Sequence, residues 1–185
     1  MEALLAIIDR LIALFQGYKE SREALFRDHI EPLFLDLSYV HSDYVGAFDK
    51  ICLVFLDPRT PIWEIAPKVD DMRRQLDHLR VKINALTDTL RTACTQDRTI
   101  PDEVCIFADA VANYFQVGAG HGSTLRPAKG STYYTTLLDL IAMAETQAIS
   151  KKECEKCAEV LFKSVRSKWS DVTVAYATAK MKCLR

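Results

Sequence analysis

Glycine is scarce in this chain, six among 185 residues, and proline (six), histidine (four) and tryptophan (two) are scarce as well. So few glycines and prolines exclude a collagen-like or low-complexity chain. No long polar tract appears, which argues against disorder. No segment alternates apolar and polar residues as a half-buried strand does. No uncharged run reaches the roughly 20 residues that a membrane-spanning helix needs. The opening "MEALLAIIDRLIALF" is apolar, but Glu2 stands where a secretion signal is positive, and Asp9-Arg10 split the run. The chain is therefore expected to be cytoplasmic, with no membrane partner. Its six cysteines, at 52, 94, 105, 154, 157 and 183, are expected to be free thiols, most of them on apolar stripes.

Several chemistries lack their residues. There is no Gly-x-Ser-x-Gly elbow and no cysteine in a recognisable catalytic setting, so nucleophilic hydrolysis has no support. No Glu-x-x-His pair exists to build a carboxylate di-metal bundle. Cys154-x-x-Cys157 has zinc-like spacing, but it lies within a helical stripe and has no second pair. The reading is no metal and no cofactor. Aromatic residues do not alternate with basic ones on any inferred surface, so stacking on single-stranded nucleic acid is unsupported.

What is present is helical periodicity almost throughout. The composition, 49% apolar and 26% charged, is that of a globular protein. A chain of this length buries roughly 70% of its unfolded surface. The fold expected is all-α: a bundle of about six helices with long antiparallel pairs. It forms one domain over 1–185, with a point of subdivision at the proline-rich connector near 56–67.

The first helix carries Leu4, Leu5, Ile8, Leu11, Ile12 and Phe15, and Ile7 and Leu14 widen its apolar face. Such a face needs cover on more than one side. Leu4, Ile7, Ile8, Leu11 and Leu14 are accordingly candidate interface residues. Helical pattern continues to Pro32, and a second helix is expected from Leu33 to Phe55, burying Leu37, Val40, Tyr44, Phe48 and Ile51. Pro58, Pro61 and Pro67 then break the pattern, with Ile62 and Trp63 pinning the connector to the core. A third helix shows a heptad seam of Val69, Met72, Leu76, Leu79, Ile83, Leu86 and Leu90, flanked by Arg73, Gln75, Arg80 and Lys82. A fourth is capped by Thr99 and opened by Pro101, with Val104, Phe107, Ala108, Val111 and Phe115 inward. A fifth starts near Ser131, with Tyr134, Leu137, Leu138, Ile141 and Ala144 inward. The last opens with a Ser150–Glu153 capping box and buries Cys154, Cys157, Leu161, Val165, Val172, Tyr176 and Ala179.

Four of the six glycines fall in "VGAGHGSTLRPAKG", residues 117–130. Gly118, Gly120, His121, Gly122, Ser123, Arg126 and Lys129 make this loop a candidate anion or ligand site, because glycines expose backbone N–H groups. It is no Walker loop, since the lysine and the preceding strand are missing. His121 can act as acid or base near neutral pH. "GAGHG" resembles the Gly-x-x-His-Gly turn of bacterial abortive-infection proteins of the HEPN type, which are all-helical, often dimeric, and in many cases cleave RNA. That resemblance implies a phage-defence role, with His121 as acid/base and Arg126 or Arg73 stabilising phosphate charge. It covers about a dozen residues. The family's Arg-Asn pair is replaced here by Ala112-Asn113 in "VANYFQVGAGHG". Arg73 and His78, in "RRQLDH", repeat the family's Arg-x4-His spacing and form a second candidate pair.

Charge is uneven. Residues 151–185 carry a net +5 and residues 1–150 a net −6. The basic end suits an acidic partner or RNA. The expectation is an interaction protein, an adaptor or regulatory subunit that self-associates or docks on a protein partner. The alternative is an HEPN-like, metal-independent ribonuclease or toxin that acts on RNA.

Overall fold

A computed structural model describes residues 22–56, 59–75, 77–117 and 132–184. These residues are helical with no strand among them, as expected of an all-α bundle. A single turn, α1 (Arg22–Leu25), leads through a π-helical turn (Phe26–Ile30) into α2 (Glu31–Leu56). A 3-10 turn (Ile62–Glu64) precedes α3 (Ile65–Gln75) and α4 (Asp77–Gln96). Then come α5 (Asp102–Tyr114), α6 (Tyr133–Glu145) and α7 (Lys151–Cys183). None of these helices is long and apolar enough to cross a membrane.

Pro32 does not end a helix. The chain is helical from Arg22 to Leu56, and Pro32 sits inside that run. A proline ring clashes with the carbonyl four residues back, here that of Asp28. The π-helical turn lies just upstream, and the Glu31 N–H reaches back five residues to the Phe26 carbonyl. That widened turn makes room for the ring. Pro67 is accommodated differently. It falls in the first turn of α3, where the missing N–H has no helical partner to lose.

The described residues divide into two compact units. The first takes residues 22–40, 78–114 and 168–184. Its core includes Val104, Phe107, Ala108 and Val111 of α5 and Val172, Ala175 and Ala179 of α7, all buried. Phe34 stacks between Tyr176, at 3.8 Å between ring centres, and Trp169, at 5.4 Å. Phe107 approaches Tyr176 as well, and Tyr114 meets the edge of Trp169. Lys82 of α4 pairs with Asp36 of α2 at 2.7 Å.

The buried stripe of α4 is Arg80, Ile83, Thr87, Leu90 and Ala93. It is turned by one residue from the seam expected of Leu79, Ile83, Leu86 and Leu90, and Leu79 and Leu86 are half-buried. Thr87 tolerates burial because its hydroxyl donates to the Ile83 carbonyl at 2.7 Å. Nor does Thr99 cap α5. Its hydroxyl and its N–H both donate to the Asp97 carboxylate, at 2.7 and 2.8 Å, which closes the turn between α4 and α5. The first α5 hydrogen bonds run to the Pro101 carbonyl instead.

The second unit takes residues 41–77 and 115–167, as far as these are described. Tyr44 of α2 meets Tyr133 and Tyr134 of α6, at 6.0 and 5.0 Å between ring centres, and all three are fully buried. Phe48 stacks on Phe162 at 5.6 Å, and the Arg166 guanidinium lies over the Phe162 ring. Ile65 and Val69 hold α3 in the core. Trp63 does not pin the connector, since it is 64% exposed. The α6 helix starts on a capping box between Thr132 and Thr135, and α7 starts on the expected box between Ser150 and Glu153.

Candidate functional site

His121, Arg126 and the rest of the glycine-rich loop from Gly118 to Lys129 lie outside the described residues. So do Leu4, Ile7, Ile8, Leu11 and Leu14. The remaining candidates are Arg73 and His78. Arg73 stands in the last turn of α3 and pairs with Asp70 at 2.9 Å, while Arg74 takes the other Asp70 oxygen at 2.6 Å. The hydrogen bonds from Arg73 and then Arg74 hold the Asp70 carboxyl below its ordinary range. Arg73 is thus engaged in an intrahelical pair. His78 is exposed in the first turn of α4 and belongs to the other unit.

A groove that those residues do not enter opens along α5 and α7 in the first unit. Ile106, Asp109, Ala110 and Asn113 line it from α5, and Lys168 and Asp171 from α7, around a volume of about 370 Å³. The α5 residues fall at steps of three and four, so they share one helix face. Three contacts set the two helices antiparallel. The Lys168 ammonium donates to the Asn113 carbonyl at 2.7 Å, the Phe107 ring lies 6.0 Å from that of Tyr176, and Lys182 pairs with Glu103 at 3.4 Å.

The groove is apolar below and charged at its rim. Ile106 is 58% exposed. One turn beyond Asp171 on the outer face of α7 stands Val174, at 64% exposure, followed two turns later by Met181 at 52%. Asp109 accepts from the Arg91 guanidinium at 2.8 Å. Burial lowers the Lys168 pKa, and the Asp171 carboxylate offsets part of that shift. These groups do not make an acid–base couple, because Lys168 is directed at a main-chain carbonyl and Asp109 at an arginine. The groove thus combines exposed apolar side chains with charged ones and holds no acid–base couple.

The sequence carried a signal for this groove. Ile106 lies beside the buried stripe of α5 and not on it, and Val174 and Met181 stand in the same relation to the stripe of α7. Apolar residues on the outer face of an amphipathic helix have no core to fill.

His41, in the second unit, is a half-buried imidazole. Burial, with the Arg166 cation behind it, pushes its pKa down to about 4, so it is neutral at pH 7. Among the described residues, no three His, Cys, Asp or Glu side chains gather closely enough to hold a metal ion. The chain matches no protein-family model, and no curated protein or solved structure matches it either.

Proposed function

We propose that this chain is a helical interaction protein, an adaptor or regulatory subunit, that pairs with a second copy of itself through the outer face of α5 and α7. One observation carries the reading: three large apolar side chains, Ile106 of α5 and Val174 and Met181 of α7, are each more than half exposed, and Ile106 lines the charged groove. A strip of this kind on a helix that crosses no membrane is the usual mark of a protein contact.

A second copy fits the charges. Asp171 and Lys182 lie at opposite ends of the strip, with Val174 and Met181 between them. A two-fold axis passing near Ala177 would set each α7 antiparallel to its twin and bring Asp171 of one copy towards Lys182 of the other. Asp171 would then meet a Lys182 that also holds Glu103 of its own copy at 3.4 Å, and the apolar residues would meet at the centre. The HEPN-like ribonuclease reading rests on His121 and Arg126, and the groove offers nothing to support it.

The test is a charge swap read by native mass spectrometry. The wild-type chain should be a dimer, Asp171→Lys should weaken it, and Asp171→Lys with Lys182→Glu should restore it. A wild-type monomer would overturn the reading, whether its strip is bare or covered by residues 1–21. A dimer indifferent to both variants would overturn it too.

A further inference from the structure

Within the second unit, the exposed face of α7 is a row of cations. Lys152, Lys156, Lys163 and Arg166 follow one another at steps of four, seven and three, which places them on one side of the helix. All four are exposed. The row is about 21 Å long at 1.5 Å per residue. Glu159 falls within it, so the face carries four cations against one carboxylate, a net of +3. Glu155 stands half-buried on its flank. Glu153 is turned back to the Ser150 N–H and hydroxyl, at 2.8 and 2.7 Å.

Elsewhere in the chain, basic side chains are tied up. Arg73 and Arg74 hold Asp70, Lys82 holds Asp36, Arg91 holds Asp109 and Lys182 holds Glu103. Among the described residues, none of the four cations in the row has a salt-bridge partner. Arg166 is instead steadied from below. Its guanidinium lies 4.2 Å from the centre of the Phe162 ring, and that ring stacks on Phe48 at 5.6 Å. A cation fixed in this way loses little freedom when a ligand arrives.

We infer that this face of α7 binds the phosphate backbone of double-stranded DNA without reading its sequence. Val160 is the one exposed large apolar side chain between Lys152 and Arg166 among the described residues. That is too little for the apolar centre of a protein contact or for insertion into lipid. A straight, rigid row of charges also suits a straight, rigid polyanion. Duplex DNA carries one negative charge per about 1.7 Å of its axis, so each cation meets phosphate without ordering the ligand. An acidic peptide would first have to be ordered. Lysine meets phosphate as a point charge, and such contacts position a duplex but read no base edge. Duplex RNA is gripped through its 2′-hydroxyls as well as its phosphates, and a row of point charges makes no use of them. The site is separate from the α5–α7 contact. It draws on other residues, in the other unit, and does not depend on self-association.

The experiment titrates the full-length chain into a fluorescently labelled DNA duplex and follows anisotropy at rising salt. Four phosphate contacts predict a slope of log affinity against log salt of about −3.6, a loss of about 100-fold between about 50 and 200 mM. Lys156→Gln with Lys163→Gln should lower that slope by about 2, leaving a loss of about tenfold over the same range. Lys68→Glu with Arg98→Glu, on exposed positions away from the row, should keep the wild-type slope. Circular dichroism checks that each variant keeps its helicity. No binding at the lowest salt would overturn the inference. An equal change of slope in the Lys68→Glu, Arg98→Glu variant would overturn it as well, because the charge of the whole chain would then be the cause. So would displacement of the labelled duplex by duplex RNA or polyglutamate as effectively as by unlabelled DNA.

Discussion

In the tyrosine cluster, Tyr44, Tyr133 and Tyr134 are sealed from solvent. In the stack of the other unit, Phe34, Trp169 and Tyr176 all remain partly accessible. The first arrangement converts nearly all of its aromatic area into stability. The second gives up part of that area, and one of its helices turns an apolar strip outward on its other side. Val174 and Met181 are exposed on the same stretch of α7 that supplies Trp169 and Tyr176 inward. A rigid aromatic inner side of this kind is a suitable backing for a contact surface, because it fixes the outer residues without help from a partner.

Three substitutions should separate these roles. The largest effect is expected at the sealed cluster. Tyr134→Ala leaves a cavity among close-packed rings and should cost about 3–5 kcal/mol, as measured by urea unfolding. Phe34→Ala removes a ring that already touches solvent, and about 2 kcal/mol is expected. If the two cost the same, the distinction between the clusters fails. Val174→Glu on the outer strip should cost under about 0.5 kcal/mol, as exposed substitutions do, while abolishing self-association.

Acid should weaken the second unit through His41. Its pKa is about 4 in the folded chain against an ordinary 6.5, so the unfolded chain binds more protons between those values. Stability is therefore complete above pH 6.5 and falls as pH drops towards 4. Burial moves His29 in the same direction, outweighing Asp28. Urea midpoints taken from pH 7.5 to 4 should decline, and His41→Gln should flatten part of that slope. Carboxylates held low in the folded state, among them Asp70, Asp97 and Glu153, add a loss of the same sign at still lower pH.

A gain in stability is expected at the end of α6. Gln147 adopts a left-handed backbone, φ 60°, where glycine is the usual residue. Gln147→Gly should raise stability by about 1 kcal/mol. A loss in the same urea titration would mean that the Gln147 side chain contributes more than its backbone costs.

The all-α class and most buried faces were legible because they depend on spacing alone. Leu37, Val40, Tyr44, Phe48 and Ile51 recur at three and four, and all five are buried. The Ser150–Glu153 box was legible for the same local reason. Pro32 misled because a proline marks a helix end unless a widened turn accommodates it, and that accommodation depends on backbone geometry. On α4, hydrophobicity alone placed the seam through Leu79 and Leu86. A threonine that satisfies its own hydroxyl and a buried Arg80 turned the face by one residue.

The groove was harder to see. Ile106 and Val174 look like scattered apolar residues until α5 and α7 are known to run antiparallel.

The most direct measurement is the mass of the native assembly for the wild-type chain and for Ile106→Glu combined with Val174→Glu. A wild-type dimer and a folded, fully helical monomeric variant are expected. A monomer in both cases, or a dimer in both, would contradict the assignment of the α5–α7 face as the contact surface.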